Sequence, residues 1–347
     1  MICIDADEFW RLRKKLSSVR NLNVPGYSRG MLFTILSQKK VDSVKRYYPK
    51  VVEKLDSLRD YWRKECKMPG WMKLTPVMRV RLLMKSLGLS KAEINRALND
   101  PERILSEVDC EYHPERLEEE VWKALYTDYV YSPLAVRHQR ARGELGEEII
   151  REWLTYRDIE FSTERDLRGR FSKTPDFFFE EPVRLNGSHV RWIESKALFG
   201  DPKTHWVYLK KQFSIYREMF GEGHVVYWFG CVKDVREGIL TTDVFSSTLK
   251  NALNDMLVYT AYADRAEELA EKLNAVVVDL GAGVGDIKVE LGENVRSVEF
   301  LEGVGKVIDC YSMGRLVIAD GERDWRNSVR KHVGWVLRNM GFAVIHV

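Results

Sequence analysis

Three side chains that could act together on a phosphodiester lie in the middle of the chain. Asp176 follows Thr174-Pro175, and Glu194 and Lys196 come after it along the sequence. Two carboxylates can hold Mg²⁺, a hard cation that prefers oxygen ligands and keeps several waters. The metal polarises a phosphoryl oxygen and acidifies a water. A nearby lysine can position that water or stabilise charge that develops on the phosphate.

The residues between these acidic positions predict a β-hairpin. Asn186-Gly187 lies between two strand-like runs, and both residues tolerate the positive φ of a type I′ turn. With the turn there, paired residues have numbers that sum to about 373, so Asp176 is expected beside Ala197. Glu194 and Lys196 are two apart and project from the same face of their strand. The hairpin would gather two carboxylates and one ammonium far from its turn. The alternative is a surface hairpin with a cross-strand ion pair.

These residues resemble a known signature. Pro175-Asp176 and Glu194-Ser195-Lys196 are similar to the two halves of the PD-(D/E)XK nuclease signature. The longer strings Lys173–Asp176, Trp192–Ala197 and Phe199–Asp201 resemble a narrower branch, the TPD-motif family. The resemblance implies a restriction-endonuclease-like core, dependence on Mg²⁺ with Mn²⁺ as a substitute, and a nucleic-acid substrate. It implies that Asp176 and Glu194 are metal ligands and that Lys196 positions or activates water.

Two further parts of the predicted catalytic domain add to the resemblance. In the superfamily the first core helix supplies another acidic residue to the metal site, and here Gly146-Glu147 matches, with Glu144 and Glu148 as alternatives. Gln212 and Tyr216 lie four apart on a helix expected over Thr204–Phe220, so they share one face. They resemble the Q-h-x-x-Y motif, whose side chains lie beside the active site. On the same helix Lys210 and Lys211 could contact phosphate, although solvated surface lysines are the more ordinary interpretation.

Positive charge is concentrated in the N-terminal third. Residues 1–110 carry 23 Lys and Arg against 13 Asp and Glu, whereas the net charge of the whole chain is +3. A local basic surplus is typical of nucleic-acid-binding modules. Two segments, Ser28–Tyr48 and Thr75–Leu98, resemble helix-turn-helix units, and the second has a capping-box pattern that begins at Ser90. Its second helix would expose Lys91 and Arg96 to phosphates or base edges. The alternative is a helical region with solvated lysines.

The C-terminal portion contains a glycine-rich pattern that could mislead. Val276–Gly285 resembles the first motif of methyltransferases that bind S-adenosylmethionine. Too few residues follow it for such a domain, so a strand followed by a glycine turn is expected. Strands are also expected at Ser297–Leu301, Lys306–Tyr311 and Arg315–Ala319, then a helix over Asp324–Met340 and a strand over Phe342–Val347.

The expected fold class is α/β, with a restriction-endonuclease-like mixed sheet flanked by helices. We predict a helical, helix-turn-helix-like region over residues 1–128, a nuclease domain over 129–256 and a small α/β domain of unknown role over 257–347. No apolar leader or bilayer-spanning run is present, and the five cysteines form no C-x-x-C pair. These features favour the cytoplasm and no contact with membranes.

Two functions from different classes fit the sequence. The first is a Mg²⁺-dependent nuclease, with DNA expected ahead of RNA and an endonuclease ahead of an exonuclease. The second is a nucleic-acid-binding or scaffold protein without activity on a nuclease-like fold. The intact set of Asp176, Glu194 and Lys196 favours the enzyme. The sequence leaves open whether the chain forms a homodimer.

Overall fold

The computed structural model describes residues 3–58, 70–103, 114–235, 238–240, 242–245 and 247–347. The helices are α1 (Ala6–Lys15), α2 (Arg29–Val52), α3 (Pro76–Ser86), α4 (Lys91–Asn99), α5 (Pro114–Thr127), α6 (Pro133–Thr155), α7 (Glu164–Leu167), α8 (Pro202–Tyr208), α9 (Ser214–Phe220), α10 (Thr248–Asp255), α11 (Ala263–Leu273), α12 (Val298–Cys310) and α13 (Arg330–Asn339). Within the described ranges, no helix is both long enough and apolar enough to cross a bilayer.

The strands form separate sheets. They are β1 (Cys3–Ile4), β2 (Ser162–Thr163), β3 (Phe177–Leu185), β4 (Ser188–Lys196), β5 (Gly223–Tyr227), β6 (Cys231–Val232), β7 (Leu257–Tyr262), β8 (Ala275–Asp279), β9 (Ile287–Lys288), β10 (Arg315–Asp320) and β11 (Ala343–His346). Helices and strands are mixed throughout, which confirms the predicted α/β class.

The chain divides into two compact units, each built from segments that are distant in the sequence. The hairpin unit comprises Met1–Ile35, Arg142–Met256 and Ser312–Gly314. The parallel-sheet unit comprises Leu36–Ala141, Leu257–Tyr311 and Arg315–Val347. Each of the three predicted domains is one continuous segment of sequence, whereas each compact unit combines several segments. The two divisions are therefore not comparable, and the three-domain division stays a prediction.

The hairpin unit contains a mixed sheet in the order β2-β3-β4-β5. Strands β3 and β4 are antiparallel, whereas β5 runs parallel to β4 and places Val225 beside Glu194. All five residues of β5 are buried, as expected for a strand covered on both faces. The end of β4 that contains Glu194 therefore lies beside a buried strand, in the interior of the unit.

The hairpin turn forms where the sequence predicts it, but the register changes along the strands. Asn186 and Gly187 both have positive φ, 49° and 84°. Next to the turn Arg184 pairs with His189, in the predicted register, whereas farther away Phe178 pairs with Trp192. The irregularity between Phe178 and Val183 includes Pro182, which has no N–H for the ladder. The prediction that Asp176 lies beside Ala197 is therefore wrong.

The helix after the hairpin is longer than predicted and is interrupted by a π-helical turn. It begins at Pro202, where the Asp201 side chain accepts hydrogen bonds from the N–H groups of Lys203 and Thr204, each 3.1 Å. The π-turn spans Leu209–Phe213 and joins α8 to α9. Such turns occur frequently at functional sites.

The sequence also predicts a strand over Ile239–Val244, but the described residues of that range do not form one. Ile239 forms an isolated bridge with Val225. Thr242–Val244 forms a short 3-10 helix instead. Residue 241 lies outside the described residues.

Only one of the two expected helical pairs in the N-terminal region has a turn. Arg29–Val52 is a single helix, so the helix-turn-helix prediction for Ser28–Tyr48 is wrong. No glycine or proline lies between residues 31 and 48 to break it. Ser28 does accept a hydrogen bond from the N–H of Met31, 3.2 Å. The second pair, α3 and α4, is linked through Gly88 with φ +95°, and the capping box between Ser90 and Glu93 is present.

The parallel-sheet unit contains a five-stranded sheet in the order β11-β7-β10-β8-β9. All of its strand pairs are parallel. The strands predicted at Ser297–Leu301 and Lys306–Tyr311 are wrong, because those residues lie mainly within α12. Ser297 caps this helix and accepts a hydrogen bond from the N–H of Phe300, 3.1 Å. The buried residues of α12 recur at helical spacing, which a short apolar run does not distinguish from a strand.

The remaining C-terminal predictions differ from the structure only in where the helix and the strands begin or end. The strand expected at Arg315–Ala319 is β10. The helix expected from Asp324 begins instead at Arg330 and forms α13. The closing strand, β11, is confirmed within the predicted range Phe342–Val347.

The backbone N–H groups of the glycine-rich turn after β8 donate hydrogen bonds to a side chain within the same segment. Asp279 accepts hydrogen bonds from the N–H groups of Gly281, Ala282 and Gly283 at 3.1, 2.6 and 2.9 Å. These are the groups that a glycine loop would need to offer to a cofactor. These hydrogen bonds fit the predicted strand followed by a glycine turn. They do not favour the hypothesis of a methyltransferase, because the N–H groups are already bonded to Asp279.

Candidate active site

The register change places Asp176 directly against the end of β4. The N–H of Ser195 donates a 2.7 Å hydrogen bond to Oδ2 of Asp176. The N–H of Asp176 donates a 3.3 Å hydrogen bond to Oε2 of Glu194. Glu194 is only 1% exposed, whereas Asp176 is half-buried. The two carboxylates therefore lie side by side, and Asp176 is the less buried of the two.

Lys196 completes the group of three. Its ammonium forms an ion pair with Oε1 of Glu194, and its side chain is 15% exposed. Burial lowers the pKa of Lys196, but the charges of Glu194 and Asp176 outweigh burial and raise it. Lys196 therefore stays protonated and can act as a donor of positive charge and hydrogen bonds.

The two carboxylates are held in an environment that disfavours their charge. Burial, followed by repulsion from Asp176, raises the pKa of Glu194 to about 8. Burial also raises the pKa of Asp176, although Lys196 and the Ser195 N–H act in the opposite direction. Raised carboxyl pKa values in a cluster are typical of functional sites. Here burial is the main cause of both shifts, and repulsion between the two carboxylates adds to the shift of Glu194.

Glu147 reaches this region because α6 approaches the sheet closely. A Cβ at Gly146 would lie 2.4 Å from Nε1 of Trp228 and 3.1 Å from Oγ of Ser195, so the position requires glycine. Burial raises the pKa of Glu147 to about 7, with Asp176 as the next cause. The close approach of α6 to Ser195 therefore brings Glu147 toward the cluster.

The two alternative glutamates are less suited to the site. Glu148 forms an ion pair with Arg151, 3.0 Å, and its side chain is 46% exposed. Glu144 is exposed. Glu147 is half-buried and follows Gly146, where α6 packs against Ser195 and Trp228. Geometry therefore favours Glu147, and its role as a ligand stays a prediction.

Gln212 and Tyr216 form a hydrogen-bonded clamp around the cluster. Nε2 of Gln212 donates to Oε1 of Glu194 and to the hydroxyl of Tyr216, both at 2.9 Å. The Tyr216 hydroxyl donates in turn to the carbonyl of Thr174, 2.6 Å. This chain of bonds ties the helix to β4 and to the segment that precedes Asp176. Both side chains thus hold the acidic pair in place.

Sequence reasoning did not identify two residues that contact the cluster. The ring of Tyr208 lies 5.0 Å from Nζ of Lys196. The indole of Trp228 donates a 2.9 Å hydrogen bond to Oγ of Ser195. The spacing of Tyr208, Gln212 and Tyr216 was a usable signal, because residues four apart share a helix face. No sequence signal pointed to Trp228.

The predicted nucleic-acid contacts are all on the surface. Lys210 and Lys211 are exposed on the π-turn, and Nζ of Lys210 lies 3.8 Å from the centre of the Trp206 ring. Lys91 and Arg96 are exposed on α4, in the parallel-sheet unit. Their role in binding nucleic acid stays a prediction.

The donor set fits a divalent cation that keeps part of its water shell. No group of three or more His, Cys, Asp or Glu side chains in the described part of the chain is arranged to hold a metal by itself. Mg²⁺ does not need such a cage, because it commonly binds one or two carboxylates and completes its shell with water and substrate phosphates. Glu147, Asp176 and Glu194 carry three negative charges when ionised and Lys196 one positive charge. A divalent cation would balance the remainder.

The fold and the site define an α/β protein with a buried cluster of carboxylates and one lysine at the end of a hairpin. Residues 113–245 match the family described as "Protein of unknown function TPD sequence-motif". This stretch contains all the residues of the cluster.

Several curated relatives of the chain carry the name CDAN1-interacting nuclease 1. The protein from Bos taurus is 31% identical over 61% of this chain and 79% of its own length. Those from Homo sapiens and Mus musculus are 35% and 37% identical, over 46% and 42% of this chain and 56% and 50% of their own lengths. The chain belongs to the TPD sequence-motif family and is a relative of CDAN1-interacting nuclease 1. No solved structure matches it significantly.

Proposed function

We propose that the chain is a metal-dependent nuclease that hydrolyses phosphodiester bonds in nucleic acid, with DNA as its preferred substrate and internal cleavage as its mode. The observation that carries the proposal is the pairing of Asp176 with Glu194 beside the protonated Lys196. The name of the curated relatives, which describes them as nucleases, supports the same activity.

The arrangement of elements supports a restriction-endonuclease-like core and a PD-(D/E)XK mechanism. Helix α6 precedes the antiparallel hairpin β3–β4, and the helix formed by α8 and α9 then leads to β5, parallel to β4. Asp176 immediately precedes β3, and Glu194 and Lys196 lie at the end of β4. The two halves of the signature thus meet at one end of the sheet.

Asp176 and Glu194 would hold Mg²⁺, with Mn²⁺ as a substitute, and Glu147 would assist from α6. When bound, such a metal polarises a phosphoryl oxygen and acidifies a water. The raised pKa values of Glu147 and Glu194 support the fit. They come first from burial and then from repulsion by Asp176, and a bound cation would offset both effects.

The side chains around the acidic pair have separate roles in this proposal. Lys196 positions the attacking water or stabilises the charge that develops on the phosphate. Gln212 donates to Oε1 of Glu194 and helps to fix the orientation of that carboxylate. Tyr216 holds the Thr174 carbonyl and so fixes the chain before Asp176. These contacts preorganise the site before any substrate enters, which is the property that lowers a reaction barrier.

The proposal is tested with labelled single-stranded, duplex, flap and branched DNA and RNA, incubated with Mg²⁺, Mn²⁺ or EDTA. We expect cleavage of at least one DNA form that requires the metal and is lost in Asp176→Asn. Glu148→Gln is the matched control, because it removes a nearby surface carboxylate outside the cluster. Binding without metal-dependent cleavage of any substrate would contradict the proposal.

A further inference from the structure

We propose that Tyr208 is a positioning residue for Lys196, and that the face of its ring keeps the ammonium at the cluster. The inference rests on the proposed function, in which Lys196 takes part in the chemistry. It adds a residue that the sequence motifs do not include.

The geometry of the contact supports an attraction between a cation and an aromatic ring. Nζ of Lys196 lies 5.0 Å from the centre of the Tyr208 ring. This is within the roughly 6 Å over which the negative face of a ring attracts a cation. The site is also shielded from water, since the Lys196 side chain is only 15% exposed. Such contacts are stronger when the cation is desolvated.

Other residues hold the Tyr208 ring. It stacks on Phe213 with ring centres 5.9 Å apart and planes 24° apart. Phe213 is 2% exposed and packs in turn near Trp192, with ring centres 6.3 Å apart. The ring that faces Lys196 is thus braced by the core of the hairpin unit.

The π-turn explains how Tyr208, Gln212 and Tyr216 all reach the cluster. In a regular α-helix, side chains four residues apart are displaced by about 40° around the axis, so two such steps displace them by about 80°. The π-turn over Leu209–Phe213 places more residues in one turn and reduces this displacement. Tyr208 contacts Lys196, Gln212 contacts Glu194, and Tyr216 contacts the carbonyl of Thr174.

An aromatic ring differs from a carboxylate as a partner for Lys196. Glu194 takes an N–H of the ammonium in its ion pair and offsets its charge. A ring face attracts the ammonium without a full negative charge, so the charge remains available to a phosphate. Tyr208 therefore restricts where Lys196 can go while leaving its donors for the substrate.

The first test measures single-turnover cleavage by ring-removing variants, Tyr208→Leu and Tyr208→Met, and by the conservative variant Tyr208→Phe. Loss of a desolvated ring contact is expected to lower the maximal rate about ten-fold with little change in KM. Tyr208→Phe should keep the wild-type rate, because it keeps the ring. Trp206→Leu is the matched control, since Trp206 makes the same kind of contact with Lys210 on the same helix but is 55% exposed.

The second test does not depend on activity. Reaction of lysines with an amine-selective acylating reagent is followed by peptide mass spectrometry. Acylation of Lys196 should be faster in Tyr208→Leu and Tyr208→Met than in wild type, and unchanged in Tyr208→Phe and Trp206→Leu. Thermal unfolding verifies that each variant is folded. If Tyr208→Leu does not fold, Tyr208→Met replaces it in both tests.

Equal acylation of Lys196 in all folded variants would overturn the proposal, as would a Tyr208→Phe variant that behaves like Tyr208→Leu. The second outcome would assign the effect to the hydroxyl and not to the ring. If wild type cleaves nothing, the proposed function fails, and the acylation result still decides whether Tyr208 holds Lys196.

Discussion

The backbone N–H of Ser195 donates a 2.7 Å hydrogen bond to Oδ2 of Asp176, and this bond joins the two halves of the candidate site. It fixes Asp176 through the main chain of the strand that carries Glu194 and Lys196. Any substitution at Ser195 except proline leaves this N–H in place. The position of Asp176 therefore depends on the register of the hairpin more than on the identity of residue 195.

The first prediction concerns the metal. Asp176→Ala should lose measurable Mg²⁺ or Mn²⁺ binding in calorimetry, because it removes one of the two paired carboxylates. Glu148→Gln, which changes a glutamate paired with Arg151, should bind as wild type does. Equal binding by wild type and Asp176→Ala would exclude this pair as the metal site.

The second prediction concerns pH and stability without metal. The folded protein raises the pKa of Glu194 from 4.5 to about 8, so the folded state holds a proton that the unfolded state releases. Stability should therefore fall as pH rises from about 5 to about 8. Thermal unfolding in EDTA should show this fall in wild type. Glu194→Gln should show a clearly smaller fall, because its amide does not titrate, and an identical fall in both would contradict the prediction.

The third prediction concerns Lys196. Lys196→Ala should lower the single-turnover cleavage rate by about two to three orders of magnitude, the typical effect of removing a preorganised donor. Substrate affinity in Ca²⁺ should largely remain. Lys196→Arg should not restore the rate, because the planar guanidinium cannot take the place of an ammonium. Equal rates for wild type and Lys196→Ala would remove Lys196 from the mechanism.

The fourth prediction concerns the basic helical region. Deleting residues 1–128 would remove segments of both compact units, so substitutions are the better test. Lys91→Ala and Arg96→Ala should each lower the slope of log affinity against log salt by about 0.7–0.9 per lost phosphate contact. Lys123→Ala is the control, since this exposed lysine already pairs with Glu120, 3.5 Å. Unchanged slopes in Lys91→Ala and Arg96→Ala would assign phosphate contacts to other residues.

The sequence predicted the hairpin turn correctly but not the register of the whole hairpin. Asn186-Gly187 is a local signal, because its backbone preferences decide the turn without help from other residues. The irregularity between Phe178 and Val183 has no such signal. Pro182 could have suggested a break in the ladder, since proline has no N–H to donate. It could not reveal how many residues the register would shift.

The helix α12 shows a second limit of sequence reasoning. Its residues were predicted as two strands because short apolar runs fit a buried strand and a buried helix equally well. The helix also contains Gly303 and Gly305, although glycine weakens helices. Both are buried, and an added Cβ at Gly303 would lie 2.4 Å from Cδ2 of Leu291. Tertiary packing, which one sequence does not display, decided the outcome.

The irregularity in β3 separates the tip of the hairpin from the candidate site. From Val183 to Leu185 the strand follows the register set by the turn, whereas Phe177 and Phe178 follow a different register beside Asp176. Extra residues at Asn186-Gly187 would change the pairing near the tip, and the irregular segment could absorb that change. The tip is therefore a suitable place to insert an affinity tag or a fluorescent label. It is also where hairpins of different length could be tolerated during evolution.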